Sequence, residues 1–179
     1  MIGGSKVDDK LIDFKLCIDE LGGFDMDSLD GRIMVQKKIY LLQLCGLDLG
    51  YRFNWYIRGP YSPSLADSAF EVWNTEELVS QITEEYELED ECIDQLNKIK
   101  GLINSKSPFS ELEDFQWLEL LASVHYLRHI AYMPGFDNQS KDEICKKINQ
   151  LKPYFIEDHI NKAWEILDQW GLIERDTLE

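Results

Sequence analysis

Apolar residues in this chain recur mainly at helical spacing. Leu11, Phe14, Ile18 and Leu21 share one face, which predicts an amphipathic helix from Asp9 to Leu21 that Gly22-Gly23 brings to an end. After a polar loop, Gly31 to Cys45 predicts a second helix of a different kind. Ile33, Met34, Val35, Ile39, Tyr40, Leu41, Leu42, Leu44 and Cys45 cover most of its circumference at about 100° per residue, the mark of a central, buried helix. Arg32, Gln36 and Gln43 form one narrow polar line along it, and those groups need hydrogen-bond partners inside the fold or on a ligand.

The period then changes from 3.6 to 2. Tyr51, Phe53, Trp55 and Ile57 alternate with Arg52, Asn54, Tyr56 and Arg58, which predicts a half-buried strand with an aromatic inner face and a basic, polar outer face. Gly59-Pro60-Tyr61-Ser62-Pro63 reads as a stiff connection, with Ser62 capping a helix that starts at Pro63 and buries Leu65, Ala69, Val72 and Trp73. Leu78 to Ile82 and Glu85 to Leu88 suggest a hairpin. A helix from about Glu89 to Ile103 follows, carrying Ile93, Leu96, Ile99, Leu102 and Ile103, and then a short linker over 104–108.

Ser110 with Glu113 reads as a capping box for a long helix, Glu111 to Tyr132, that Pro134-Gly135 stops. Ser140 with Glu143 is a second box, opening a helix with Ile144, Ile148 and Leu151 that ends before Pro153. Ile160, Ala163, Trp164 and Leu167 mark the last helix. Gly171 ends it, and Leu172 to Arg175 could form a short strand.

Composition sharpens this picture through charge. The 179 residues carry 18 Lys and Arg against 34 Asp and Glu, a formal net charge of −16. Such a chain is repelled by nucleic-acid phosphate unless its cations are concentrated in one place. They are unevenly spread: Gly59 to Asn97 holds no Lys or Arg and eleven acids, whereas Arg32 to Arg58 holds five cations and one acid, Asp48. The acidic stretch can be a solvated face, can fold back on the basic strand, or can meet a basic partner. Cys17, Cys45, Cys92 and Cys145 lie far apart in helical, apolar contexts, so reduced, buried thiols are expected. Met1 to Lys10 holds no apolar segment, and no run reaches the roughly 18 apolar residues of a membrane span. A soluble, cytoplasmic protein is the expectation.

Catalytic patterns are sparse. His125 and His129 have the i, i+4 spacing of a zinc pair, but Tyr126 stands where the metalloprotease motif needs Glu, and a third ligand would have to come from His159 or a distant acid. No phosphate-binding glycine loop and no G-x-S-x-G occurs, and Ser62 has no His near it in sequence. Neither a cofactor nor an enzymatic activity is expected. The stretch from Arg32 to Asp67 is richer, because aromatics, arginines and a rigid proline turn are what protein-interface hot spots use. Its candidate partner-binding residues are Arg32, Gln36, Arg52, Tyr56, Arg58, Tyr61 and Ser62. The same aromatics can equally build core.

That stretch also carries a resemblance. Arg32, Gln36, Lys37, Tyr40, Leu41, Leu42 and Gln43, then Gly59, Pro60, Tyr61 and Ser62, then Leu65 and Asp67, resemble the YwgA-like family of prokaryotic proteins, whose pattern is R-x-x-x-Q-K-x-x-Y-L-L-Q, an aromatic strand ending in G-P-Y-S, and a helix with Leu and a following Asp. The C-terminal half looks similar in order. More distantly, the Q-K-x-x-Y and G-P signature is similar to the Panacea domain of SocA-type antitoxins and phage-associated proteins. This chain departs from that domain in its G-P-Y-S and its longer C-terminal half. The resemblance implies neutralisation of a partner, or adaptor work, through protein contacts.

The last three helices and following strand have winged-helix order, with "WGLIER" like a recognition helix running into a wing. DNA readers place Arg, Lys, Asn or Gln on that helix. Here its first turns carry Glu157, Asp158 and His159 with Asn161 and Lys162, a poor set for approaching phosphate. The expectation is therefore a mainly α fold of winged-helix-like helices with short β-hairpins, in two packed halves, 1–104 and 105–179. The expected role is a non-enzymatic interaction module: an antitoxin, adaptor or subunit of a prokaryotic defence or mobile-element system. Its partner would be a toxin, an effector or a complex subunit, with no membrane. A winged-helix nucleic-acid-binding regulator, or an acidic nucleic-acid mimic, is the alternative. An enzyme with a pocket lined by Arg32, Gln36, Tyr40 and Gln43 is a third.

Overall fold

The computed structural model describes residues 8–129 and 140–174. Among them the chain is mainly α, with eight helices and one two-stranded antiparallel hairpin. The helices are α1 (Asp9–Glu20), α2 (Leu29–Gln43), α3 (Pro63–Asn74), α4 (Glu76–Thr83), α5 (Asp90–Ile103), α6 (Asp114–His129), α7 (Lys141–Leu151) and α8 (Glu157–Gln169). The hairpin pairs β1 (Asn54–Tyr56) with β2 (Gly59–Tyr61). Two compact units result: residues 8–54 with 61–105, and residues 55–60 with 106–174. Residues 55–60, which the sequence assigns to the N-terminal half, count with the second unit.

In the first unit α1 packs on α3 and α4, and α2 packs on α3 and α5. Phe14, Ile18, Ile39, Leu41, Leu42, Leu65, Ala69 and Val72 are fully buried, each larger one contributing about 1.5–3 kcal/mol by leaving water. As its pattern predicts, α2 is buried around most of its circumference, its lysines Lys37 and Lys38 included. It starts where Ser28 Oγ accepts the Gly31 N–H at 3.0 Å. Gly31 itself sits so close to the preceding loop that a Cβ would collide with the Asp25 carbonyl. Likewise α3 starts as expected, with Ser62 Oγ accepting the Leu65 N–H at 3.4 Å and Pro63 in the first turn.

In the second unit α6 is the central helix, packed by α7 and α8. Every residue from Trp117 to His125 is buried. Around it stand Ile144, Ile148, Phe155, Ile160, Ala163 and Leu167, all fully buried. Ser140 caps α7 as the sequence indicates, its Oγ accepting the Glu143 N–H at 3.4 Å.

Several expectations need correction. Leu78–Ile82 forms no hairpin strand; it lies in α4, where Val79 and Thr83, one helical turn apart, are the buried positions. Glu76 and Glu77 occupy the first turn, where acids suit the helix dipole. Only three of the eight alternating residues 51–58 are strand, and Ile57 is 75% exposed at the hairpin turn instead of facing inward. α6 begins at Asp114, with Gln116 Oε1 accepting the Glu113 N–H at 3.0 Å in place of the Ser110/Glu113 box. Residues 172–174 form no strand, so the described part of the expected wing is not built. Pro134-Gly135 lies outside the described residues.

Candidate functional site

The polar line on α2 closes on backbone. Gln36 Nε2 donates to the Ser62 carbonyl at 3.0 Å while its Oε1 accepts the Ser62 N–H at 2.9 Å. Two turns further on, Gln43 repeats the pattern on Tyr51, at 2.9 and 3.1 Å. Each side-chain amide exchanges two bonds with one residue, as a neighbouring residue does in an antiparallel ladder. These clamps hold the two ends of the segment that contains the hairpin, and they explain the short strand, since Tyr51 pairs with a glutamine side chain. Arg32 Nε donates to the Met26 carbonyl at 2.7 Å and its guanidinium lies 5.3 Å from the Phe70 ring centre.

Between the clamps, the tip of the hairpin is anchored within the second unit. The Lys152 ammonium donates to the Ile57 carbonyl at 2.8 Å and to Glu119 Oε1 at 2.5 Å. The same Glu119 oxygen accepts the Tyr154 hydroxyl at 2.5 Å. Arg58 reaches Glu119 Oε2 at 3.5 Å and the Tyr154 oxygen at 3.4 Å. Glu119 and Lys152 are 0% and 1% exposed at their side chains. Such a pair is tolerated in low dielectric only because other hydrogen bonds help satisfy the charges. Burial pulls the Lys152 ammonium below its ordinary pKa, with Glu119 opposing. Burial, then the Glu119 carboxylate, push the Tyr154 hydroxyl up.

Gly59, at φ +82°, completes the turn. A Cβ there would collide with Ser123 Oγ on α6, and that hydroxyl is buried without a hydrogen-bond partner among the described residues. Trp55 sits beside the anchor, its ring 5.5 Å from Lys152 Nζ and 5.8 Å from the Tyr126 ring.

Around this anchor, apolar side chains point to solvent. Tyr56 is 59% and Ile57 75% exposed on the tip; Leu151, Tyr154 and Ile156, on the segment that supplies Lys152, are also exposed. The Lys152–Ile57 and Tyr154–Arg58 bonds tie these two segments together. The result is an apolar rim mounted on a buried ionic network.

The sequence-derived candidates divide between the units. Arg32, Gln36, Arg52, Tyr61 and Ser62 belong to the first, and Tyr56 and Arg58 to the second. Gln36 and Ser62 are 3% and 0% exposed and bonded to each other. Their role is corrected from surface contact to internal scaffold. Arg52 is exposed, 4.0 Å from Asp48, and Tyr61 is half-buried at the end of β2. Glu119, Lys152 and Tyr154 were not among the candidates. Glu119 had a signal, being the lone acid in the apolar run from Trp117 to Val124, where a charge demands a partner.

His125 and His129 stack at 4.4 Å. Burial, then His129, bring the His125 pKa down to about 3, and His129 Nε2 bonds the Leu172 carbonyl at 2.8 Å. No cluster of three metal-ligating side chains exists among the described residues. His159, buried at the start of α8, accepts the Ile156 N–H at Nδ1 and so donates from Nε2 to Glu111, 3.0 Å away. All four cysteines are free thiols; burial pushes Cys17 up to about 12. No described helix is long and apolar enough to cross a membrane. Comparison with known protein families, curated proteins and solved structures finds no match to the chain. The likeness of residues 32–67 to the YwgA-like family therefore rests on those residues alone.

Proposed function

We propose that the protein is a non-enzymatic interaction module that docks a partner protein on the rim formed by Tyr56, Ile57, Leu151, Tyr154 and Ile156. The observation that carries this reading is the mounting of Ile57. Its side chain is 75% exposed while its carbonyl is held by Lys152, itself locked to Glu119. An exposed apolar side chain on an immobilised backbone loses little entropy on binding, and rigid aromatic and Arg anchors are typical hot spots. Arg58, half-exposed beside Tyr154, supplies the arginine.

The antitoxin, adaptor or defence-system role is the part of the reading supplied by the sequence resemblance. Support for a nucleic-acid regulator is weak: α8 opens with exposed Glu157 and Asp158, its His159 is buried, and its Lys162 is paired with Glu165 at 3.0 Å. The experiment is affinity capture of the tagged chain from its native host, with and without nuclease, beside an Ile57→Asp variant. A stoichiometric protein that survives nuclease and is lost from Ile57→Asp is the expected result. Recovery of nucleic acid, or a protein partner indifferent to Ile57→Asp, would overturn it.

A further inference from the structure

The first unit holds a groove that the interaction reading does not use. Gly31, Met34, Val35 and Lys38 lie at i, i+3, i+4 and i+7 on one face of α2 and wall a pocket of about 350 Å³, closed on the other side by the loop from Gly22 to Asp25. A volume of a few hundred Å³ is in the range of small-molecule sites, and the face is about 10 Å long at 1.5 Å per residue.

Its two ends differ in charge. At one end the Lys38 ammonium, 8% exposed as a residue, donates to the Leu21 carbonyl at 3.2 Å and the Gly23 carbonyl at 3.1 Å. Those are two of its three donors, and no carboxylate lies within ion-pair distance of it among the described residues. The carbonyls belong to the cap and turn that follow α1, and the helix dipole offsets only part of a unit charge. Consistent with this, burial pulls the Lys38 pKa down with no opposing acid. At the other end stand Asp25 and Asp30. The Ser28 hydroxyl and the Asp27 N–H hold the Asp25 carboxyl below its ordinary value, so it stays charged. Phe24, Met34 and Val35 supply the apolar wall between.

We propose that this groove binds a small monocarboxylic acid, with the carboxylate on the Lys38 ammonium and the hydrocarbon tail against Phe24, Met34 and Val35. The buried lysine gains the counter-ion that the described residues do not supply. Asp25 and Asp30 repel a second negative charge at the far end, so the site discriminates against dicarboxylates. This site is independent of the protein-docking rim.

The test is titration of the full chain with hexanoate, adipate and hexanamide, following the Met34 and Val35 methyl resonances. Hexanoate shifts these signals saturably, and adipate and hexanamide bind at least about tenfold more weakly, the worth of a charged hydrogen bond. Lys38→Met loses hexanoate binding to the same degree. Because that variant also strips the Leu21 and Gly23 carbonyls of their donor, Met34→Trp, which fills the groove and leaves Lys38 in place, is run beside it with the Val35 methyls as reporter. Circular dichroism confirms that it is folded, and it too loses binding. No saturable hexanoate shift below roughly 10 mM, equal binding of adipate, or unchanged binding in folded Met34→Trp would each overturn the proposal.

Discussion

Gln36 and Ser62, 26 residues apart, form a closed pair in which one side-chain amide satisfies both backbone groups of one buried residue, at 3.0 and 2.9 Å. Ser62 then uses its hydroxyl to start α3. A single glutamine thus fixes where the hairpin segment ends and where the next helix begins.

Replacing Gln36 by Leu strands the Ser62 N–H in an apolar interior, worth about 1–3 kcal/mol when unpaired, while the Ser62 carbonyl still accepts the Ala66 N–H at 3.1 Å. Gln36→Leu should lower stability by about 1–3 kcal/mol, read as a lower urea midpoint with unchanged slope. Gln43→Leu, at a part-buried pair, should cost less.

Glu119 and Lys152 give a second, separable outcome. Lys152→Met leaves the Glu119 charge buried with Tyr154 and a distant Arg58 as its remaining side-chain partners, and should destabilise by about 3–5 kcal/mol. Glu119→Leu combined with Lys152→Met should recover much of that loss, because no unpaired buried charge remains. Thermal unfolding of the single and double variants, as a mutant cycle, checks this.

Acid stability should depend on His125. Burial first, and His129 second, bring its folded pKa down to about 3 from an ordinary value of 6.5. The neutral ring is favoured in the folded state, so its contribution is fully present above pH 6.5. It is lost progressively as pH falls toward about 3, at about 1.4 kcal/mol per pH unit. Comparing wild type with His125→Leu by urea denaturation from pH 7 to pH 4.5 isolates this slope from that of the carboxylates. The variant should show the shallower decline.

The sequence announced the helices whose apolar period was long and whose caps were local. Ser62-Pro63 and Ser140 are examples, since the capping group lies within three residues of the N–H it accepts. It also announced that Gln36 and Gln43 needed partners. It could not say that the partners were the Ser62 and Tyr51 backbones, because those contacts depend on how the chain returns. α4 was misread because Leu78 to Ile82 is too short for periodicity to separate helix from strand; packing on α1 decides it. The anchor beneath the hairpin was the least legible part. Lys152 and Tyr154 meet Glu119 across 33 and 35 residues, and Lys152 meets Ile57 across 95. Only Glu119, alone in its apolar run, betrayed a buried network.

The docking rim is tested most directly by measuring the affinity of the captured partner for three purified forms of the chain: wild type, Ile57→Asp and Leu29→Asp. Both positions are well exposed, at 75% and 62%, so both variants should fold and carry the same added charge. Docking on the rim predicts that Ile57→Asp weakens binding at least about 30-fold, the loss of a hot spot of roughly 2 kcal/mol, while Leu29→Asp, in the first unit, leaves it unchanged. Equal affinity for all three forms would contradict it.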